Sequence, residues 1–235
     1  PMTSSVAFSN YNNMATADPN NPGRSISNYE IPSRFILKLG FQREFFGDNT
    51  TRFTLFTSRN QGRPYSYTFA SQEMFNIDVA DSRSLLYMPS GPSDPNVVFD
   101  PGFDQAAFFA FAEANGLTEY GGGIVPRNEF NSDWWTKMDL RVSQEIPGFG
   151  SDQKAQVYFV VENLLNLIND DWGVLYELGF PRTAPIVEAS LDDSGTPTDF
   201  SDDVYVFEDF SAVGQTRVGN ASLWSLRIGF NYNFN

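Results

Sequence analysis

Three stretches of this chain alternate apolar and polar residues for ten or more positions almost without a break, and this pattern limits the fold most. From Trp134 to Ile146, Met138, Leu140, Val142 and Ile146 alternate with Lys137, Asp139, Arg141, Ser143 and Glu145. From Lys154 to Asn163, Ala155, Val157, Phe159 and Val161 alternate with Gln156, Tyr158, Val160 and Glu162. From Leu223 to Phe234, Trp224, Leu226, Ile228, Phe230, Tyr232 and Phe234 alternate with Ser225, Arg227, Gly229, Asn231 and Asn233. A period of two puts each set on its own face of a strand. Strands in soluble domains usually have about 5–6 residues. A strand of roughly 11–13 residues tilted by about 45° rises about 25–30 Å, the thickness of a bilayer's hydrocarbon core. Full charges in mid-strand opposite a wholly apolar face suit a sheet with lipid on one side and a wet lumen on the other.

Two further strands are expected. Over 34–45, Phe35, Leu37, Leu39 and Phe41 face away from Arg34, Lys38, Gly40, Gln42 and Glu44. The turn signal Gly47-Asp48-Asn49 leads into a strand at 51–59 with Phe53, Leu55 and Thr57 on its apolar side. Short turns at 46–50 and 147–153 alternate with long segments at 60–132 and 164–221, and residues 1–31 read as loop. Outer-membrane barrels place short turns in the periplasm and long loops outside. The expected fold class is therefore all-β: an antiparallel transmembrane β-barrel segment with long extracellular loops. Within those loops the sequence predicts a short helix near 104–115, with Asp104 as N-cap and Gly116 as C-cap. It also predicts a hairpin pairing Ile186–Leu191 with Val204–Phe210. Gly121-Gly122-Gly123 reads as a turn, since no Lys-Ser/Thr follows to make a phosphate loop.

Composition narrows the function. The 235 residues hold 15 Lys and Arg against 29 Asp and Glu, a net charge of −14, which argues against nucleic acid as a partner. With no Cys and no His, disulfides, thiolate or imidazole metal sites and His-dependent triads are excluded. Aromatic residues make up 16% and charged residues only 19%, against about 25% charged in ordinary soluble domains. Lipid faces and interface girdles use such aromatics. No apolar run reaches the roughly 18 residues of a membrane helix.

Charge suggests a register for each short hairpin, because opposite charges directly across a pair are favourable. Around residue 150, one register sets Glu145 against Lys154, Lys137 against Glu162 and Arg141 against Tyr158. The neighbouring same-face register opposes Asp139 and Glu162 and is disfavoured. Around residue 48, the matching choice sets Glu44 against Arg52 and lays Phe56 over Gly40. Lys137, Glu162, Glu145, Lys154, Glu44 and Arg52 are thus expected as lumen-facing ion pairs.

The last strand, Arg227-Ile228-Gly229-Phe230-Asn231-Tyr232-Asn233-Phe234, resembles the C-terminal signal of outer-membrane proteins. Arg227, Gly229, Tyr232 and Phe234 hold its polar, glycine and aromatic positions, and Asn235 beyond them is a minor departure. That resemblance implies recognition by the barrel-assembly machinery, in keeping with an edge strand open to β-augmentation. Other segments follow in order: Asn60-Gln61-Gly62-Arg63-Pro64-Tyr65-Ser66-Tyr67, Leu85-Leu86-Tyr87-Met88-Pro89, Arg127-Asn128, Trp134-Trp135, Asp139-Leu140-Arg141-Val142-Ser143-Gln144-Glu145, and Asn163-Leu164-Leu165-Asn166-Leu167-Ile168-Asn169 ahead of Trp172-Gly173. Together, over roughly 30–235, they resemble the C-terminal barrel region of Oar-like TonB-dependent receptors. The resemblance implies an active transporter in the bacterial outer membrane, plugged by an N-terminal domain on which an inner-membrane motor complex pulls. The implied partners are outer-membrane lipid, the rest of the barrel with its plug, the TonB motor complex and the assembly machinery.

Five membrane strands are expected, at 34–45, 51–59, 134–146, 154–163 and 222–234. Closure needs about eight, and open edges in lipid cost several kcal/mol per unpaired group. Residues 1–235 are therefore expected to be the C-terminal part of a longer barrel, and Pro1-Met2-Thr3-Ser4 does not read as a leader. Asp192, Asp193, Asp199, Asp202 and Asp203 offer hard oxygen ligands without the spacing of a calcium loop, so a solvated acidic loop is the reading preferred. Glu162 and Asp139, beside Lys137 and Arg141, fit ion pairing better than glycoside hydrolysis. Tyr65, Tyr67, Trp134, Trp135 and Trp172 are expected at the outer membrane interface, with ligand stacking as the sharper alternative. No catalytic constellation and no cofactor are expected. Two rivals to transport remain open: a structural or adhesive outer-membrane barrel without TonB coupling, and a secreted sugar-binding β-protein.

Overall fold

The computed structural model describes residues 13–19, 21–70, 83–150, 153–192 and 203–233. In chain order the strands are β1 (Arg34–Phe46), β2 (Asn49–Asn60), β3 (Pro64–Phe69), β4 (Tyr87–Met88), β5 (Val97–Phe99), β6 (Gly123–Ile124), β7 (Phe130–Asn131) and β8 (Trp135–Pro147). They continue as β9 (Lys154–Glu162), β10 (Tyr176–Glu177), β11 (Thr183–Asp192), β12 (Val204–Phe210), β13 (Thr216–Arg217) and β14 (Ser225–Asn233). Among the described residues lie helices α1 (Gln105–Ala114), α2 (Leu164–Ile168) and α3 (Gly219–Ser222) and a 3-10 turn at Leu117–Tyr120. No helix among the described residues is long and apolar enough to cross a membrane.

Two compact units interleave along the chain. The sheet unit comprises Ile31–Gly62, Ser132–Glu177 and Thr216–Asn235, and the loop unit Pro1–Glu30, Arg63–Asn131 and Leu178–Gln215. In the sheet unit the five long strands form one antiparallel sheet in the order β1-β2-β8-β9-β14. These are the five strands that the alternation predicts, within three residues at every end. The sheet is open, with β1 and β14 at its edges. Both long connections depart from one end, where Asn60 faces Trp135 and Glu162 faces Ser225.

The registers differ from the expectation by one pleat. Glu145 faces Gln156 and Pro147 faces Lys154, while Gln42 faces Arg52 and Glu44 faces Thr50. Turn geometry decides this. Phe46 pairs with Asn49 across a two-residue turn whose Gly47 sits at φ 59°, a left-handed conformation that costs glycine nothing. In the second hairpin the Gly148 N–H donates to the Gln153 carbonyl at 2.8 Å. This is the register that charge disfavours: Leu140 faces Val161, which brings Asp139 level with Glu162 across the pair. Lys137 beside Asp139 and Arg227 beside Glu162 offset that repulsion, and Lys154 Nζ still lies 3.0 Å from Glu145 Oε2 on a diagonal.

The long segments are not simple loops, which is the main departure from the sequence reading. They fold into the loop unit around a second sheet, ordered β5-β12-β11-β3-β7. The expected hairpin is present as β11 and β12, antiparallel. However, β3 joins β11 and β5 joins β12 in parallel, so this sheet is mixed. Helix α1 forms as expected, with Asp104 Oδ1 accepting the Ala107 N–H at 2.9 Å and Gly116 left-handed at φ 73°. It buries Phe108 and Ala112 against Phe69, Phe207, Ile186 and Val187.

Candidate functional site

The sheet unit is inside-out. Every residue of the chain's main hydrophobic core belongs to the loop unit. Among the described residues, the side chains that the sheet unit buries are small or polar: Thr51, Ser58, Ser132, Ser143, Ala155, Asn163, Asn166 and Ser222. Its large apolar side chains are the exposed ones. Register places them in rows on a single face: Phe41-Phe53-Val142-Phe159-Ile228 in one, and Leu39-Leu55-Leu140-Val161-Leu226 in the next. Phe35, Leu37, Leu39, Phe41, Leu226, Ile228 and Phe230 are each at least half exposed. Covering a Leu, Ile or Phe fully is worth about 1.5–3 kcal/mol, so this face leaves on the order of 10 kcal/mol uncollected in water. That is comparable with the whole stability of a domain, about 5–15 kcal/mol.

Aromatic residues bracket the rows. Near the end that carries the long connections, Phe35 stacks on Trp134 at 6.0 Å and the Arg59 guanidinium lies 5.4 Å from the Trp134 ring. Trp224, just before β14, is exposed at the same end. Toward the turns lie Phe45, Phe46 and Phe149, all exposed, with Phe149 stacked on Tyr232 at 5.7 Å. The eleven residues from Phe35 to Phe45 rise about 25 Å on a tilted strand, the height of a barrel's apolar band.

The opposite face is polar, and its expected ion pairs form in part. Glu145 and Lys154 meet as expected. Lys137 instead lies 3.5 Å from Asp139 on its own strand, and Glu162 pairs with Arg227. Arg52 donates from Nη2 and Nε to Gln42 Oε1, at 3.1 and 3.3 Å, rather than to Glu44. These are corrections to the charge-based pairing, and they follow from the one-pleat shift. Phe56 does not cover Gly40, which faces Thr54. The aromatic lying over a glycine is Tyr158, whose ring fills the space where a Cβ on Gly229 would stand. Arg141 rests on that ring at 4.4 Å.

A polar knot closes the end of β9, and the sequence reading missed it. Asn163, left-handed at φ 54°, donates its backbone N–H to Asp139 Oδ1 at 2.8 Å. Its Nδ2 donates to the carbonyls of Gly173 at 2.9 Å and Ser222 at 2.8 Å. Trp135 Nε1 donates to the same Gly173 carbonyl at 3.0 Å. Asn163 is fully buried, so the two donated bonds offset the desolvation of its Nδ2, while its buried Oδ1 accepts no hydrogen bond among the described residues.

The five aromatics named from sequence separate. Trp134, Trp135 and Trp172 belong to the sheet unit, and Trp172 is exposed. Tyr65 and Tyr67 belong to the loop unit. Tyr67 is only 2% exposed, packed edge-on to Phe130 at 4.9 Å and Phe111 at 6.0 Å. Burial, then the hydrogen bond shared with the Tyr65 hydroxyl, raises its phenol pKa. Tyr67 is therefore a core residue, which corrects its assignment to a membrane interface or a ligand surface. Asp94 is a second feature that sequence reading passed over. Its carboxylate accepts the Ser90 N–H at 2.7 Å and the Asn96 N–H at 2.9 Å, with the Tyr87 hydroxyl at 3.3 Å. Burial alone raises its pKa, but these hydrogen bonds together bring it below the ordinary value.

No known protein family, curated protein or solved structure matches the chain. Among the described residues no three carboxylates gather as a metal site requires. In the acidic loop only Asp192 and Asp203 are among the described residues; Asp193, Asp199 and Asp202 lie outside them, as does Phe234 of the C-terminal pattern. Arg227, Gly229 and Tyr232 all lie on β14, an edge strand.

Proposed function

We propose that the five-stranded sheet spans the bacterial outer membrane as part of the wall of a larger β-barrel. In this reading the chain is the barrel region of an Oar-like TonB-dependent receptor, and the loop unit is its extracellular, ligand-capturing part. The inside-out sheet carries the proposal: a face of continuous Leu, Ile, Val and Phe rows, bracketed by aromatics, backs onto a face of arginines, lysines and carboxylates. The two open edges support a larger barrel, because unpaired backbone groups cannot face lipid. Transport rests on the ordered resemblance of the segments from Asn60 to Gly173. The loop unit's own aromatic core favours a second reading, a structural or adhesive barrel that displays a folded domain.

Extraction of the native membrane fraction with alkaline carbonate tests the first step. The protein should stay with the membrane and leave it only with detergent; release by carbonate would refute membrane spanning. Ligand uptake that collapses when the proton-motive force is removed would favour transport over adhesion.

A further inference from the structure

The middle of the polar face is basic although the chain as a whole is strongly acidic. Two adjacent rows cross the sheet there. One runs Gly40-Thr54-Arg141-Val160-Arg227 and the other Gln42-Arg52-Ser143-Tyr158-Gly229. They hold three arginines and no carboxylate. Glu162 and Asp139 lie toward one end of the sheet, and Glu44 and Glu145 toward the other. Arg227 is paired with Glu162. Arg141 and Arg52 have no carboxylate within ion-pair distance among the described residues.

Arg141 is also held in place. Its guanidinium lies over Tyr158, and Tyr158 is seated over Gly229, so a residue without a side chain fixes the ring on which the cation rests. Arg141, Tyr158, Val160 and Arg227 line one recess of about 370 Å³. A guanidinium stacked on a ring keeps its in-plane N–H groups free to grip two oxygens at once. The Tyr158 hydroxyl stands beside it as a further donor.

We propose that these rows form an oxyanion-binding site on the polar face, for the phosphate or carboxylate group of a small solute. Arg141 is the primary contact, and Tyr158 and Arg227 are its neighbours. The inference rests on the reading of this face as the wet side of the sheet. An anionic solute would meet there two arginines, Arg141 and Arg52, with no carboxylate partner among the described residues.

The test is calorimetric titration of the full chain in detergent micelles with pyrophosphate, and separately with citrate, at low salt. One saturable site is expected for at least one of the two, weakening as NaCl is added. Loss of the bidentate grip in Arg141→Gln should weaken binding by about tenfold or more. Tyr158→Phe keeps the ring and should weaken it by roughly threefold. Arg24→Gln, an exposed arginine of the loop unit, should change nothing, and strand content by circular dichroism checks that each variant is folded. No saturable binding by either anion, or unchanged binding in folded Arg141→Gln, would overturn the proposal and leave these arginines to pair with carboxylates of another protein segment. Carbonate extraction is read independently. A chain that leaves the membrane yet binds through Arg141 would sink the membrane reading and keep the site.

Discussion

The Tyr158 ring occupies the place where a side chain on Gly229 would begin. Two adjacent strands, β9 and β14, are thereby fitted face to face at one point, and the same ring carries the Arg141 guanidinium. Gly229→Ala should push the ring aside, because the new methyl would overlap it. The expected cost is about 1–3 kcal/mol for overpacking, seen as a lower urea midpoint in micelles. Tyr158→Ala in the Gly229→Ala background should recover part of that loss, since it removes the overlap.

Neighbouring positions on β9 should respond oppositely to charge. Phe159 lies in a central apolar row and Val160 in a polar one. Phe159→Lys should cost about 2–4 kcal/mol, as for a cation at mid-bilayer depth. Val160→Lys should cost well under half of that. Folding yield into lipid vesicles compares them directly.

Cross-linking can fix the register, and the absence of native cysteine makes the result clean. Gly40→Cys with Thr54→Cys joins residues directly opposite, where Cβ atoms lie about 4.5–5.5 Å apart. This pair should oxidise to a disulfide readily. Gly40→Cys with Phe56→Cys, opposite each other in the register that charge alone suggests, should not.

Those registers show where the sequence was legible and where it was not. The five strands could be read because apolar and polar residues alternate along them with few breaks, so Leu226, Ile228 and Phe230 announce themselves against Arg227 and Gly229. Pairing could not be read from charge, because Lys154 reaches Glu145 on a diagonal as easily as straight across. The loop unit stayed hidden for a different reason. Four of its strands are short, β4 to β7 having two or three residues each, and the pairings that join β3 to β11 and β5 to β12 are parallel and distant, as between Ser66 and Thr183. Tyr67 looks like a surface tyrosine until Phe111 and Phe130 are seen to close over it. In the candidate site, Arg141 and Tyr158 were visible as lumen residues. Nothing in the sequence showed that Gly229 would seat the ring beneath the cation.

Asp94 makes the loop unit sensitive to acid. Its folded pKa is depressed, so the stabilisation is present above the unfolded carboxyl pKa of about 3.9 and is lost as pH falls through the lower folded value. Asp94→Ala removes the buried carboxylate that accepts the Ser90 and Asn96 N–H groups, at a cost of about 1–3 kcal/mol. Its near-ultraviolet circular dichroism signal should melt earlier at pH 7, and acid should add less further destabilisation than in the parent.

The measurement closest to the central claim is a spin-label scan along β14 in reconstituted bilayers. Single cysteines at 225–231 would carry nitroxides, with accessibility read against oxygen and against a water-soluble nickel chelate. The account predicts oxygen maxima at 226, 228 and 230 and nickel maxima at 225, 227, 229 and 231, out of phase with a period of two. Equal access of the nickel chelate to both sets would contradict it, because the face bearing Leu226, Ile228 and Phe230 would then be wet.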